Sequence, residues 1–124
     1  MKVVIFGSRN FTDIRLIITA ICHQQKFLLS DITEIISGGA KGIDSLAEQF
    51  AKENFIKFKE FPADWDMYGK SAGYKRNEEM AKYADYGIAI WDGQSKGTEH
   101  MIRLMKKRCF VYYPNLAIPR GMER

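Results

Sequence analysis

Apolar and polar positions along the chain switch between two periods. Val3-Val4-Ile5-Phe6 is an unbroken, β-branched-rich apolar run that stops at Gly7, which predicts a buried first strand over Lys2–Phe6. Ile14, Ile17, Ile18, Ile21 and Leu28 then recur at helical spacing, with Thr12 as the expected N-cap and Asp13 in the first turn. Glu34–Ser37 predicts a second strand. Ile43, Leu46, Ala47, Phe50 and Ala51 predict an amphipathic helix behind it. Phe55–Phe61 predicts a third strand, and Lys57 and Lys59 place it at the sheet edge, where charge discourages pairing with another chain. A helix over about Ser71–Tyr83 carries Asn77, Met80, Ala81 and Ala84 on one stripe. Tyr86–Trp91 is apolar throughout, as a strand covered on both faces should be. Thr98, Met101, Ile102 and Met105 mark a fourth helix, with Lys106-Lys107-Arg108 read as its solvated basic end. Cys109–Tyr113 is the last strand. Residues 1–113 are expected to form one domain and 114–124 a loosely held tail.

Five strands alternating with four helices predict an α/β protein with one doubly wound parallel sheet of order 3-2-1-4-5. In that order the topology switches between the first and fourth strands, and ligands bind in the crevice outside the strands' carboxyl ends.

Three glycine-bearing loops follow the strands that meet at or beside this point. Ser37-Gly38-Gly39-Ala40-Lys41-Gly42-Ile43-Asp44 holds three glycines within five residues before a helix start. Free N–H groups and the positive end of the helix dipole make such a start a cradle for phosphate or carboxylate. Gly7, Ser8 and Arg9 follow the first strand, and Asp92, Gly93, Ser95, Gly97 and Thr98 follow the fourth. Arg76 and Asn77 stand at the polar start of an otherwise apolar helix face, so they either satisfy each other or face a ligand. Arg76 needs an anionic partner, with Asp44, Asp64 or Glu99 as the candidates. In the loop Pro62–Gly69, Trp65 or Tyr68 has the shape to stack on a nucleobase, although covering the core is the commoner fate of such residues.

Composition narrows the choice. With 46% apolar and 27% charged residues the chain is an ordinary globular sequence, and no apolar run approaches the roughly 20 residues of a membrane span. The run after Lys2 is too short for a signal peptide. Cys22 and Cys109 are widely separated, which points to a reduced cytoplasmic setting. They show no metal-ligand spacing, and His23 and His100 have no visible partners, so neither metal nor cofactor is expected. The net charge of +4 permits a polyanion without arguing for one. The chain lacks GxxxxGK[ST], a GxGxxG after the first strand, HExxH and GxSxG. A P-loop NTPase and a dinucleotide dehydrogenase are thereby disfavoured.

Gly7-Ser8-Arg9, Ser37–Asp44, Pro62-Ala63-Asp64-Trp65, Gly69 to Ala72-Gly73, Arg76-Asn77 with Met80, and Trp91–Thr98 together resemble the DUF2493 group, the YspA-like branch of the SLOG superfamily of Rossmann-like proteins. The resemblance runs to about Tyr113. It implies a Rossmann-like fold and a nucleotide or nucleotide-derived ligand held by a sensor or regulator. Arg76, Met80, Ala84-Asp85 and Gly97-Thr98 also fit the layout of the LOG phosphoribohydrolases, which implies N-glycosidic hydrolysis as an alternative. The catalytic candidates are then Arg76, Glu99 and Asp44, but Glu99-His100-Met101 stands where paired glutamates are expected. Ser37–Asp44 matches the SGxAxGID signature of DprA, so single-stranded nucleic-acid binding is a third reading, one this short chain argues against. Relatives of this type often pair, which makes a homo-oligomer an expectation.

Overall fold

The computed structural model describes residues 1–114; residues 115–124, most of the expected tail, lie outside them. Five parallel strands, β1 (Lys2–Gly7), β2 (Glu34–Ser37), β3 (Lys57–Glu60), β4 (Tyr86–Ile90) and β5 (Cys109–Tyr112), form one sheet in the order β3-β2-β1-β4-β5. The helices are α1 (Arg15–His23), α2 (Ile43–Glu53), the single-turn α3 (Trp65–Tyr68), α4 (Ala72–Tyr83) and α5 (Lys96–Met105). The fold is therefore the expected Rossmann-like one, with α3 an additional turn.

The uniform apolarity of the central strands has a direct cause. Successive residues of β1 face opposite sides, and both sides are covered. Val3 and Ile5 pack with Ile35, Ile88 and Ile90 against Ile17 and Ile21 of α1 and Ala47 and Phe50 of α2. Val4 and Phe6 pack with Ile36 and Ala89 against Met80 and Ala81 of α4 and Met101 and Met105 of α5. Burial of an aliphatic side chain of this size is worth about 1.5–3 kcal/mol, so the two clusters fix the helices on the sheet.

Several local readings change. Thr12 is not the N-cap: α1 begins at Arg15, and Asp13 accepts the Arg15 amide at 2.9 Å while pairing with its guanidinium. Phe11, buried in the core, draws the preceding loop inward. Leu28 is 69% exposed, because α1 stops at His23 and buried Gln24 turns the chain. The Gln24 amide donates to the carbonyls of Ile21 and Phe27 and accepts from the amides of Lys26 and Phe27. Phe27 consequently fills the core in place of Leu28. The third strand starts at Lys57, since Phe55 is spent on a turn at φ 56°.

Trp65 and Tyr68 remain exposed on α3, whose start is capped by Asp64 Oδ1 accepting the Met67 amide at 3.0 Å. Neither aromatic covers the core. The basic cluster after α5 is also more than solvated charge. Arg108 donates to the carbonyls of Ala84 (2.8 Å) and Ala81 (3.1 Å), closing the end of α4. Arg108→Ala should lower stability by about 1 kcal/mol in urea unfolding, the scale of an exposed capping contact, whereas Lys107→Ala should change it little.

Candidate functional site

The carboxyl ends of β1 and β4 lie side by side where the chain reverses its winding, and short hydrogen bonds join their loops. The Ser8 amide donates to the Ile90 carbonyl at 3.0 Å, and the Ser8 hydroxyl accepts the Asp92 amide at 3.0 Å. Asp92 Oδ1 in turn accepts the amides of Gln94 (2.8 Å) and Ser95 (2.9 Å). Those amides hold the Asp92 carboxyl below its ordinary range.

The first half of the loop after β2 is likewise held from within. Buried Ser37 donates its hydroxyl proton to the Asp44 carbonyl at 2.8 Å and accepts the Gly39 amide at 3.2 Å. Asp44 Oδ2 accepts the Ala40 amide at 3.4 Å. Gly39 and Gly42 take φ values of 75° and 76°, which side chains rarely adopt. A Cβ on Gly42 would lie 2.6 Å from the Arg9 backbone; one on Gly39 would meet only the Glu60 carboxylate.

From the opposite face, α4 inserts Arg76 and Asn77. Arg76 Nη1 donates to the Gly38 carbonyl at 2.7 Å and Nε to Asn77 Oδ1 at 3.2 Å. Asn77 Nδ2 then reaches the Gly97 carbonyl (3.3 Å) and His100 Nδ1 (3.1 Å). One polar relay thus links the second loop to the start of α5, and it gives His100 the partner its sequence context did not reveal.

These elements enclose a cleft of ≈ 90 Å³. Phe6, Met80 and Met101 form apolar wall, and Arg9, Asp44, Arg76, Ser95 and Thr98 supply its polar groups. Gly7, Ala40, Asn77 and Gly97 complete the lining, so nine of the sequence candidates converge here. Arg76 forms no ion pair among the described residues, although Asp44 supports its charge; burial works most strongly against that charge. Of the three expected acidic partners, then, Asp44 is a neighbour only.

Asp44 is buried, and that burial pushes its carboxyl up to about 6, against the pull of Arg76 and of the Ala40, Gly7 and Gly38 amides. The amides of Gly97 and Thr98, at the beginning of α5, have no acceptor among the described residues. A half-buried cation, two hydroxyls and a free helix start within one small cleft are the elements of an anion site.

The remaining candidates stand elsewhere. Ser8, Ser37, Gly42 and Asp92 shape the loops rather than the lining, and Gly93 is exposed. Glu99 pairs with Arg103 at 3.0 Å and lines a separate depression with Tyr74, Lys96 and His100. Lys41, Gly38 and Gly39 line a second hollow of ≈ 350 Å³, which shares Arg9, Ala40 and Arg76 with the cleft. Glu60 and Trp65 also line it. Glu60 escaped sequence reasoning, although its place at the carboxyl end of β3 is the position at which such sheets bind ligands. Among the described residues no three His, Cys, Asp or Glu side chains gather as a metal site, and no helix is long and apolar enough to cross a membrane.

Comparison with known proteins bears on the same region. The family model described as the YspA, cpYpsA-related SLOG family matches residues 1–68, which include the first two loops. The Gene 61 protein of Mycobacterium phage D29 is 35% identical over 115 residues, covering 86% of this chain and 89% of that protein. No solved structure gives a significant match.

Two outcomes follow for stability. Gly42→Ala should destabilise by about 2 kcal/mol or more in urea titration and exceed Gly39→Ala, because backbone cannot yield as the Glu60 side chain can. Asp44 makes ligand-free stability fall with rising pH. Its proton is retained by the folded chain between the ordinary carboxyl value of 3.8 and about 6, while the unfolded chain has lost it. The favourable contribution is complete below about pH 3.8 and is lost as pH passes 6. At about 1.4 kcal/mol per pH unit this amounts to roughly 3 kcal/mol, and Asp44→Asn should flatten the slope.

Proposed function

The chain belongs to the YspA, cpYpsA-related SLOG family, and from that premise we propose that it binds a nucleotide or nucleotide-derived small molecule, phosphate first, in the cleft between β1, β2 and β4. The observation that carries the reading is the Arg76 guanidinium. It lines the cleft half-buried, with no ion pair among the described residues, and a ligand phosphate would complete its coordination. Phosphate oxygens would accept from the Gly97 and Thr98 amides and from the Ser95 and Thr98 hydroxyls, with Arg9 as further counter-charge. Asp44, across the cleft, would accept a sugar hydroxyl. Its ionised form repels phosphate, so binding takes up a proton near pH 6.

Native mass spectrometry of the purified chain tests for a co-purified nucleotide, and calorimetric titration with ribose 5-phosphate and nucleoside monophosphates tests the cleft itself. Arg76→Ala should weaken ribose 5-phosphate by about 1.5–3 kcal/mol, the scale of a charge-assisted hydrogen bond. It should also lower ligand-free stability, because Arg76 props the Gly38 carbonyl. Thr98→Val, which keeps the volume, should weaken binding with little change in melting temperature. Affinity should rise as pH falls from 7 to 5.5 more than phosphate titration alone explains, and Asp44→Asn should remove the excess. Undiminished binding by both Arg76→Ala and Thr98→Val would place the anion elsewhere.

Asp44 favours a second reading, N-glycosidic hydrolysis. A carboxyl that titrates near 6 beside an arginine is suited to take a proton from water as the oxygen attacks the sugar carbon and the base departs. Under that reading base release would be lost in Asp44→Asn and kept in Glu99→Gln, since Glu99 faces Arg103 outside the cleft.

A further inference from the structure

The cleft is too small for a whole nucleotide, whereas the hollow beside it, at ≈ 350 Å³, lies within the roughly 300–1,000 Å³ of ordinary small-molecule sites. Two of its side chains have no hydrogen-bond partner among the described residues. Trp65 is 56% exposed, and among the described residues it stacks on no aromatic ring. Asp64 and the short helix α3 hold it over Gly73 of α4, with the ring tip 3.7 Å from where a Cβ on that glycine would stand. Glu60, at the end of β3, lies above Gly39 and has neither a hydrogen bond nor an ion pair among the described residues. An indole left half in water, with a free carboxylate in the same hollow, forms a stacking platform next to an acceptor-only edge.

Resting on the cleft as an anion site, we propose that the hollow is a base pocket that selects guanine-type rings. Trp65 provides the stacking surface and Glu60 reads the base edge. The shared residues Arg9, Ala40 and Arg76 place the two compartments in contact, so a ligand with phosphate in the cleft extends its base into the hollow. The helix start fixes that orientation, because Gly97 and Thr98 line the cleft and not the hollow, and the indole platform lies only in the hollow. Glu60 selects the base. Guanine presents a ring N–H next to an exocyclic amino group, two adjacent donors for two carboxylate oxygens. Adenine presents one donor next to a ring acceptor, which a carboxylate repels.

Calorimetric titration of the full chain with ribose 5-phosphate, AMP and GMP separates the two compartments. GMP should bind about tenfold more tightly than AMP, and AMP more tightly than ribose 5-phosphate. Trp65→Ala should lose about tenfold for both nucleotides and leave ribose 5-phosphate unchanged, while Trp65→Phe should restore most of the loss. Glu60→Gln should bring GMP down to the AMP level. GMP should quench native tryptophan fluorescence, and Trp65→Phe should abolish most of the quenching. Both side chains are exposed, so unchanged melting temperatures are expected of the variants. If ribose 5-phosphate binds and the nucleotides bind no better, the base pocket is refuted and the cleft stands. AMP binding as tightly as GMP refutes the guanine selection. Failure of all three ligands overturns the cleft and the pocket together.

Discussion

Between β1 and β4 the chain reverses its winding, and the helices and the cleft take their places from that reversal. Right-handed crossovers out of β1 and β2 lay α1 and α2 on one face, and those out of β3 and β4 lay α4 and α5 on the other. At the reversal no connection crosses the strand ends, so a gap opens between neighbouring loops. Ser8 bridges that gap by bonding both the Ile90 carbonyl and the Asp92 amide. The cleft is what remains once those backbone groups are satisfied.

Electrostatically, this gap holds a compromise. Arg76 and Asp44 are both withdrawn from water, yet they form no direct ion pair, and for each the dominant influence is desolvation of its charged form. Removing a charge from water without close pairing is unfavourable by several kcal/mol in general. Arg76 recovers part of that through Gly38 and Asn77, and Asp44 through loop amides and partial neutrality. Well-packed apolar residues in place of such a pair are often neutral or stabilising, so this arrangement is not explained by stability alone.

The glycine loops contribute differently from a simple cradle. Five of their amides, those of Gly39, Ala40, Asp92, Gln94 and Ser95, are already occupied by Ser37, Asp44, Ser8 and Asp92, and Gly42 serves close approach. Gly42 lets the second loop touch the Arg9 backbone and so sets where Arg9 stands. At the start of α5 the Gly97 and Thr98 amides have no acceptor among the described residues, as helix geometry leaves them.

The alternation of apolar periods made the five strands, their order and the edge position of β3 legible. Those features follow from local patterning and from the handedness of crossovers, which every L-chain shares. The polar stripe of Arg76 and Asn77 was legible for the same reason, since periodicity exposes a charged residue on an apolar face. Side-chain partners were set by the folded arrangement. Glu99 turned to Arg103, one helical turn away on its own surface, and Arg108 went to the carbonyls of a different helix. Gln24 turned the chain so that Phe27 and not Leu28 entered the core, and Trp65 and Glu60 came to line one hollow. Such choices depend on distances between groups far apart in the chain, and one-dimensional spacing contains no information about those distances.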